Sequence, residues 1–285
     1  MLYIRGHKII KGYIGNTPIS YVGFGKSGLI KIKSENGDSD YPNNLIAKYT
    51  TNTSGVLPIF NSGYQYTINE TESNGIYTVE LFSDDDFTSC RFRNKTELLT
   101  VDYLKVTDKA TTMANLFKGC TSLTEANTSN FNTSNVTDMT NMFCDCFRLA
   151  QLDTSNWDTG KVTSMDCMFE DCNDIISLNL SNFDTSNVTN MTQMINECYK
   201  LTELNISNWY LNSEVVVTDM FIDTNVLTKV TMNNSDYNSV NKIISQLPTR
   251  TSVAGLLDIA GVDDISLVDK ETLNSKNWAL SNVGH

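Results

Sequence analysis

Residues 130–139 read NFNTSNVTDM and residues 182–191 read NFDTSNVTNM, two copies that differ only at Asn132/Asp184 and Asp138/Asn190. A related string, NWDTGKVTSM, occupies residues 156–165, halfway between them. The repeat length is therefore 26 residues. Several columns keep that period: Asn130, Asn156, Asn182 and Asn208; Phe131, Trp157, Phe183 and Trp209; Val136, Val162 and Val188; Met139, Met165 and Met191; Phe117, Phe143, Phe169, Ile195 and Phe221; and Cys120, Cys146, Cys172 and Cys198. Self-similarity at 20 to 50 residues is the mark of a solenoid, propeller or array.

Apolar spacing within one period predicts a strand and a short helix. Leu201, Leu204 and Ile206, like Ile175, Leu178 and Leu180, follow the L-x-x-L-x-L spacing of a strand whose alternate residues face outward. Met139, Met142 and Phe143 fall at i, i+3, i+4, the spacing of one helix face, with Thr137, Thr163 and Thr189 placed to cap each copy. The expected fold class is an α/β solenoid, leucine-rich-repeat-like, with a parallel sheet and short helices. Small all-β segments precede it and an α/β cap closes it. Stacked coils place each residue over its equivalent, roughly 4.7–4.9 Å away along the sheet. Repetition is then packing logic, and function falls to the surfaces the stack presents.

The string M-x-x-M-F-x-x-C-x-x-L-x-x-L-x-x-S-N-F/W-x-T-S-N-V, carried by residues 110 to about 232, resembles the BspA-like branch of leucine-rich-repeat surface proteins of bacteria, mycoplasmas and bacteriophages. Leu211 in place of the Thr column and the irregular EVVVTDMF, residues 214–221, depart from it, as a coil altered towards a cap would. The resemblance implies surface display and adhesion or assembly, and no reaction.

Five segments are expected: a basic β-hairpin docking arm (1–34), a linker (35–44), a β-rich N-terminal cap (45–109), the repeats (110–232) and a C-terminal cap (233–285) closed by Trp278. The arm carries Arg5, Lys8, Lys11, Lys26, Lys31 and Lys33 with no acid before Glu35, whereas residues 110–235 hold five basic and fifteen acidic side chains, a balance of −10 within a net −12. That asymmetry predicts docking of the arm to an acidic partner. The arm's hairpins also resemble motifs near the ends of phage virion proteins. With no secretory signal at its start and no long apolar run, the chain is expected to be made in a host cytoplasm and carried on a virion as a fibre, decoration or connector. A bacterial cell-surface adhesin is the alternative. The expected partners are other virion proteins, a host-surface glycan or protein, and further copies of the chain. Neither a membrane span nor nucleic-acid binding is expected, since the acidic repeats would repel phosphate.

No catalytic residues, metal ligands or cofactors are expected. Cys144-x-Cys146 and Cys167-x4-Cys172 have the look of ligand or disulfide spacings, but four of the seven cysteines occupy the 26-residue column and read as small buried hydrophobes. Histidine occurs only at positions 7 and 285. The carboxylates, Asp84-Asp85-Asp86 among them, read as solvated charge. The candidate binding surface is the outer face of the sheet, formed by Glu125, Gln151, Ser177 and Glu203 beside Asn127, Asp153, Asn179 and Asn205. Amides and carboxylates in rows can hydrogen-bond sugar hydroxyls several times over.

Overall fold

The computed structural model describes residues 2–4, 7–14, 17–22, 45–60, 67–82, 90–104 and 106–281. At the N-terminus β1 (Leu2–Ile4), β2 (His7–Ile14) and β3 (Thr17–Val22) form an antiparallel sheet. The 35–44 linker lies outside the described residues.

A mixed five-stranded sheet follows, in the order β10-β9-β4-β7-β6. It comprises β4 (Leu45–Thr51), β6 (Thr67–Ser73), β7 (Ile76–Phe82), β9 (Leu98–Leu104) and β10 (Glu125–Ala126); β5 (Ile59–Phe60) pairs separately with β8 (Cys90–Arg91). Ser73 faces Ile76 across a two-residue turn, Asn74-Gly75, with φ of 53° and 77°. Positive φ at both turn residues matches the twist of the flanking strands, and Asn-Gly adopts it at little cost. β9 pairs antiparallel with β4 and parallel with β10, so it joins the antiparallel sheet to the first coil.

A second, all-parallel sheet runs β11 (Ser177–Asn179), β12 (Glu203–Asn205), β13 (Lys229–Thr231), β14 (Gly255–Asp258) and β15 (Trp278–Ser281). Ser177 faces Glu203 and Glu203 faces Lys229, each step one 26-residue period. The last coil ends on Trp278, which is buried and donates from Nε1 to the Pro248 carbonyl at 2.8 Å. Its ring lies against Gly255, where a Cβ would stand 2.3 Å from the indole, so no larger residue fits there.

The expected α/β solenoid with one short helix per coil is not what the chain forms. Among the described residues the α-helices are two, α1 (Tyr237–Gln246) and α2 (Lys270–Ser275), and none lies in 106–236. Where helices were expected the chain makes successive turns. Asn115, Asn141, Cys167, Gln193 and Asp219 have φ between 51° and 61°, and Asp145, Asp171, Glu197 and Asp223 repeat the excursion four residues on. A helix cannot pass through left-handed residues at such intervals. The amides point to the next coil instead: Met139, Asn141, Phe143 and Asp145 donate to the carbonyls of Ser164, Asp166, Met168 and Glu170 at 2.8–3.0 Å. Thr137, Thr163 and Thr189 likewise cap nothing. Each donates from N–H and Oγ1 to the Thr carbonyl of the coil before, or to Thr111.

Side chains fill the coils in registered stacks. Phe92, Phe117, Phe143 and Phe169 stack at 5.2–5.8 Å between centroids, and Phe131, Trp157 and Phe183 at 6.0–6.1 Å. Offset stacking at this spacing adds about 0.5–1.5 kcal/mol per pair beyond burial.

Candidate functional site

The two outward columns expected to bind have different fates. Glu125, Gln151, Ser177 and Glu203 are exposed and occupy equivalent positions one period apart, the first two joined by the Glu125–Gln151 bridge and the last two by the Ser177–Glu203 pairing in the second sheet. Lys229 and then Leu256 continue it. None of the four side chains makes a hydrogen bond or ion pair with the described residues. Their polar ends are free for a partner.

Asn127, Asp153, Asn179 and Asn205 are occupied. Their Oδ1 atoms accept from the backbone N–H two residues on, at Ser129, Ser155, Ser181 and Ser207, over 2.9–3.2 Å. These bonds close Asx turns that end each strand. Ser155, through its backbone and then its side chain, holds the Asp153 carboxyl below the usual carboxylate range. The column shapes the corner of the coil and keeps only residual acceptor capacity.

Every coil has two further corners of this kind, and they explain the repeated string. Asn132, Asp158 and Asp184 accept from the amides of Ser134, Gly160 and Ser186. Asp138, Ser164 and Asn190 accept from those of Thr140, Asp166 and Thr192. The two positions at which NFNTSNVTDM and NFDTSNVTNM differ are these acceptors, where Asn and Asp supply the same Oδ1. Positions that donate do not vary in this way. Asn156 and Asn182 use Nδ2 to reach carbonyls of the preceding coil, a role no carboxylate can fill. Thr133, Thr159 and Thr185 are buried and donate from Oγ1 to the carbonyls of Asp158, Asp184 and Tyr210.

The cysteine column is a hydrogen-bonded stack. Sγ of Cys120, Cys146, Cys172 and Cys198 donates to the carbonyls of Phe92, Phe117, Phe143 and Phe169 at 3.0–3.3 Å. Burial pushes the Cys120 and Cys198 thiols up to about 12 and those of Cys146 and Cys172 well above the ordinary value. The six cysteines Cys120, Cys144, Cys146, Cys167, Cys172 and Cys198 are free. Among the described residues, no three His, Cys, Asp or Glu side chains are placed to hold a metal ion. No helix there is long and apolar enough to cross a membrane.

Of the proposed docking cations, Lys8 and Lys11 lie on β2, while Arg5, Lys26, Lys31 and Lys33 lie outside the described residues. The sequence reading missed one surface, the column Asp145, Asp171, Glu197 and Asp223, all with positive φ. Desolvation, then Glu197 and Asp145, raises the Asp171 carboxyl. Four acids at a 26-residue spacing were the available signal, with Gly119 beginning the column.

Residues 88–177 and 175–254 match the family described as "Mycoplasma protein of unknown function, DUF285". That family is related to the BspA-like surface repeat proteins. Neither a curated protein nor a solved structure matches the chain.

Proposed function

Since the chain belongs to the DUF285 family, we propose that it is a non-enzymatic interaction protein whose stacked coils present a fixed row of polar side chains to a protein or glycan. The observation behind this reading is the contrast between neighbouring columns. Asn127, Asp153, Asn179 and Asn205 are bound into turns, whereas Glu125, Gln151, Ser177 and Glu203 project unbonded at regular spacing. A row held by a rigid backbone loses little entropy on binding and engages a repetitive partner at several points at once.

The setting we favour is a phage particle, with the chain as a fibre, decoration or connector docked through residues 1–34. The six cations of that segment against the acidic repeats support a division between docking and display. The family match favours a second setting, the bacterial cell surface, with the chain as an adhesin. Quantitative mass spectrometry separates them, applied to density-purified virus particles and to the envelope fraction of producing cells. A fixed copy number relative to the major capsid protein is the result expected of a virion component. Recovery only in the envelope would make the adhesin the correct account. A cytosolic pool in neither fraction would overturn both.

A further inference from the structure

The regular ladder of buried threonines ends abruptly at Leu211, which stands where the Thr column should continue. Its amide is taken instead by Ser239 Oγ of α1, at 2.7 Å. At this change of coil type the loop carrying Tyr210 and the outer face of α1 enclose a groove of about 640 Å³. That lies within the range of sites for small ligands, roughly 300–1,000 Å³.

We propose that this groove binds a glycan, one sugar ring stacking on Tyr210. The inference rests on the reading of the chain as a non-enzymatic binding protein and names a second site, away from the sheet column. Tyr210 is 56% exposed, and its phenol has no partner among the described residues. Its backbone is fixed on both sides, since the amide donates to Thr185 Oγ1 at 3.0 Å and the carbonyl accepts from the same hydroxyl at 2.9 Å. The sheet column offers no aromatic surface of this kind.

Around the ring stand polar groups held in place by other bonds, each with capacity left over. Lys242 donates to the Ser213 and Val215 carbonyls, leaving one ammonium N–H. Asn241 donates to the Leu267 carbonyl and accepts from the Asp269 amide, leaving one N–H and one lone pair. Asp236 accepts from the amide and hydroxyl of Ser239, with carboxylate lone pairs remaining. Asn238 is exposed and its amide is free on both sides. Fixed donors and acceptors beside one aromatic face suit a ring with CH groups on its face and hydroxyls at its edge. A peptide is the poorer fit: Leu211, the apolar member of the lining, is 2% exposed, and no strand borders the groove.

The test is an array of immobilised neutral, N-acetylated and sialylated oligosaccharides, followed by calorimetric titration of the best binder. Wild-type chain is compared with Tyr210→Ala, Tyr210→Phe, Glu203→Ala and the control Val253→Ala. At least one oligosaccharide should bind. Tyr210→Ala should weaken it about tenfold through loss of stacking, and Tyr210→Phe by about threefold or less. Val253→Ala, at an exposed side chain outside both the groove lining and the sheet column, should change nothing. Thermal unfolding of each variant confirms that the exposed substitutions leave the fold intact. Absence of any glycan binding, or binding indifferent to Tyr210→Ala, would overturn the proposal. Loss with Glu203→Ala alone would overturn the groove while leaving the sheet-column reading standing. Tyr210-dependent capture of peptides but not of oligosaccharides would assign the groove to a protein partner and likewise overturn it.

Discussion

Two segments of this chain bury apolar residues at the same i, i+3, i+4 spacing and adopt opposite structures. Met139, Met142 and Phe143 sit in a chain of turns, and Val240, Ile243 and Ile244 sit in α1; all six are 0% exposed. In the turns, Asn141 and Asp145 have φ of 55° and 62°, and the amides serve the next coil. In the helix, Asp236 caps the first turn by accepting from the Ser239 amide, and the Val240 amide donates to the Asp236 carbonyl. Apolar spacing thus fixes which side chains are buried. The polar residues between them, and the carbonyls offered by the neighbouring coil, fix the conformation.

The largest test of this contrast is Phe143→Ala. Phe143 stacks on Phe117 and Phe169, so the cavity opens towards two coils and should cost about 3–5 kcal/mol in urea unfolding. A loss below about 1 kcal/mol would show that the aromatic stack does not hold the coils together.

Backbone handedness gives an intermediate effect with a sign that differs between the two segments. Asp223 has φ of 57° in the column begun by Gly119 at 73°. Asp223→Val should lose about 1–2 kcal/mol, while Asp223→Gly stays within about 0.5 kcal/mol of wild type. In α1, by contrast, Ser245→Gly should lose about 0.5 kcal/mol. Glycine destabilising the coil at 223 more than valine does would restore the helix reading.

Smaller still are the corner acceptors. Asp184→Ala should cost about 0.5–1 kcal/mol, whereas Asp184→Asn should be neutral at pH 7, as Asn132 in the same column implies. The Ser186 side chain and then its amide hold the Asp184 carboxyl below its ordinary value. Its contribution is therefore present above the unfolded pKa of about 3.9 and lost as pH falls through the lower folded value. Asp171 has the opposite sign. Its carboxyl is raised, so protonation favours the folded state and partly offsets the acid loss. Thermal unfolding from pH 6 to pH 3 should show a shallower decline for Asp184→Asn than for wild type.

The sequence made the period, the strand positions and the stacked columns legible, because each is a consequence of burial repeated every coil. The turn at Asn74-Gly75 was equally readable from its two residues. The helix expectation failed at Asn141, Asp145 and their equivalents. Asn and Asp tolerate left-handed backbone, but nothing local says that the next coil will take their amides. Half of the candidate site also serves the backbone, a role the sequence hid for a related reason. Asn127-x-Ser129, Asp153-x-Ser155, Asn179-x-Ser181 and Asn205-x-Ser207 carry an Asx-turn signature, yet an outward amide in a repeated row looks equally suited to a ligand. The groove at Tyr210 announced itself only as a broken column at Leu211, which reads as decay of the repeat until α1 is seen to pack against it.

The central claim is that one outward column builds the coils and its neighbour is left free to bind. Two quadruple alanine variants test it in one urea-unfolding comparison. Replacing Asn127, Asp153, Asn179 and Asn205 should remove four turn bonds and cost on the order of 3–4 kcal/mol in total, at about 1 kcal/mol each. Replacing Glu125, Gln151, Ser177 and Glu203 should leave stability within about 1 kcal/mol of wild type. Equal losses in the two variants, or a greater loss in the second, would contradict the account.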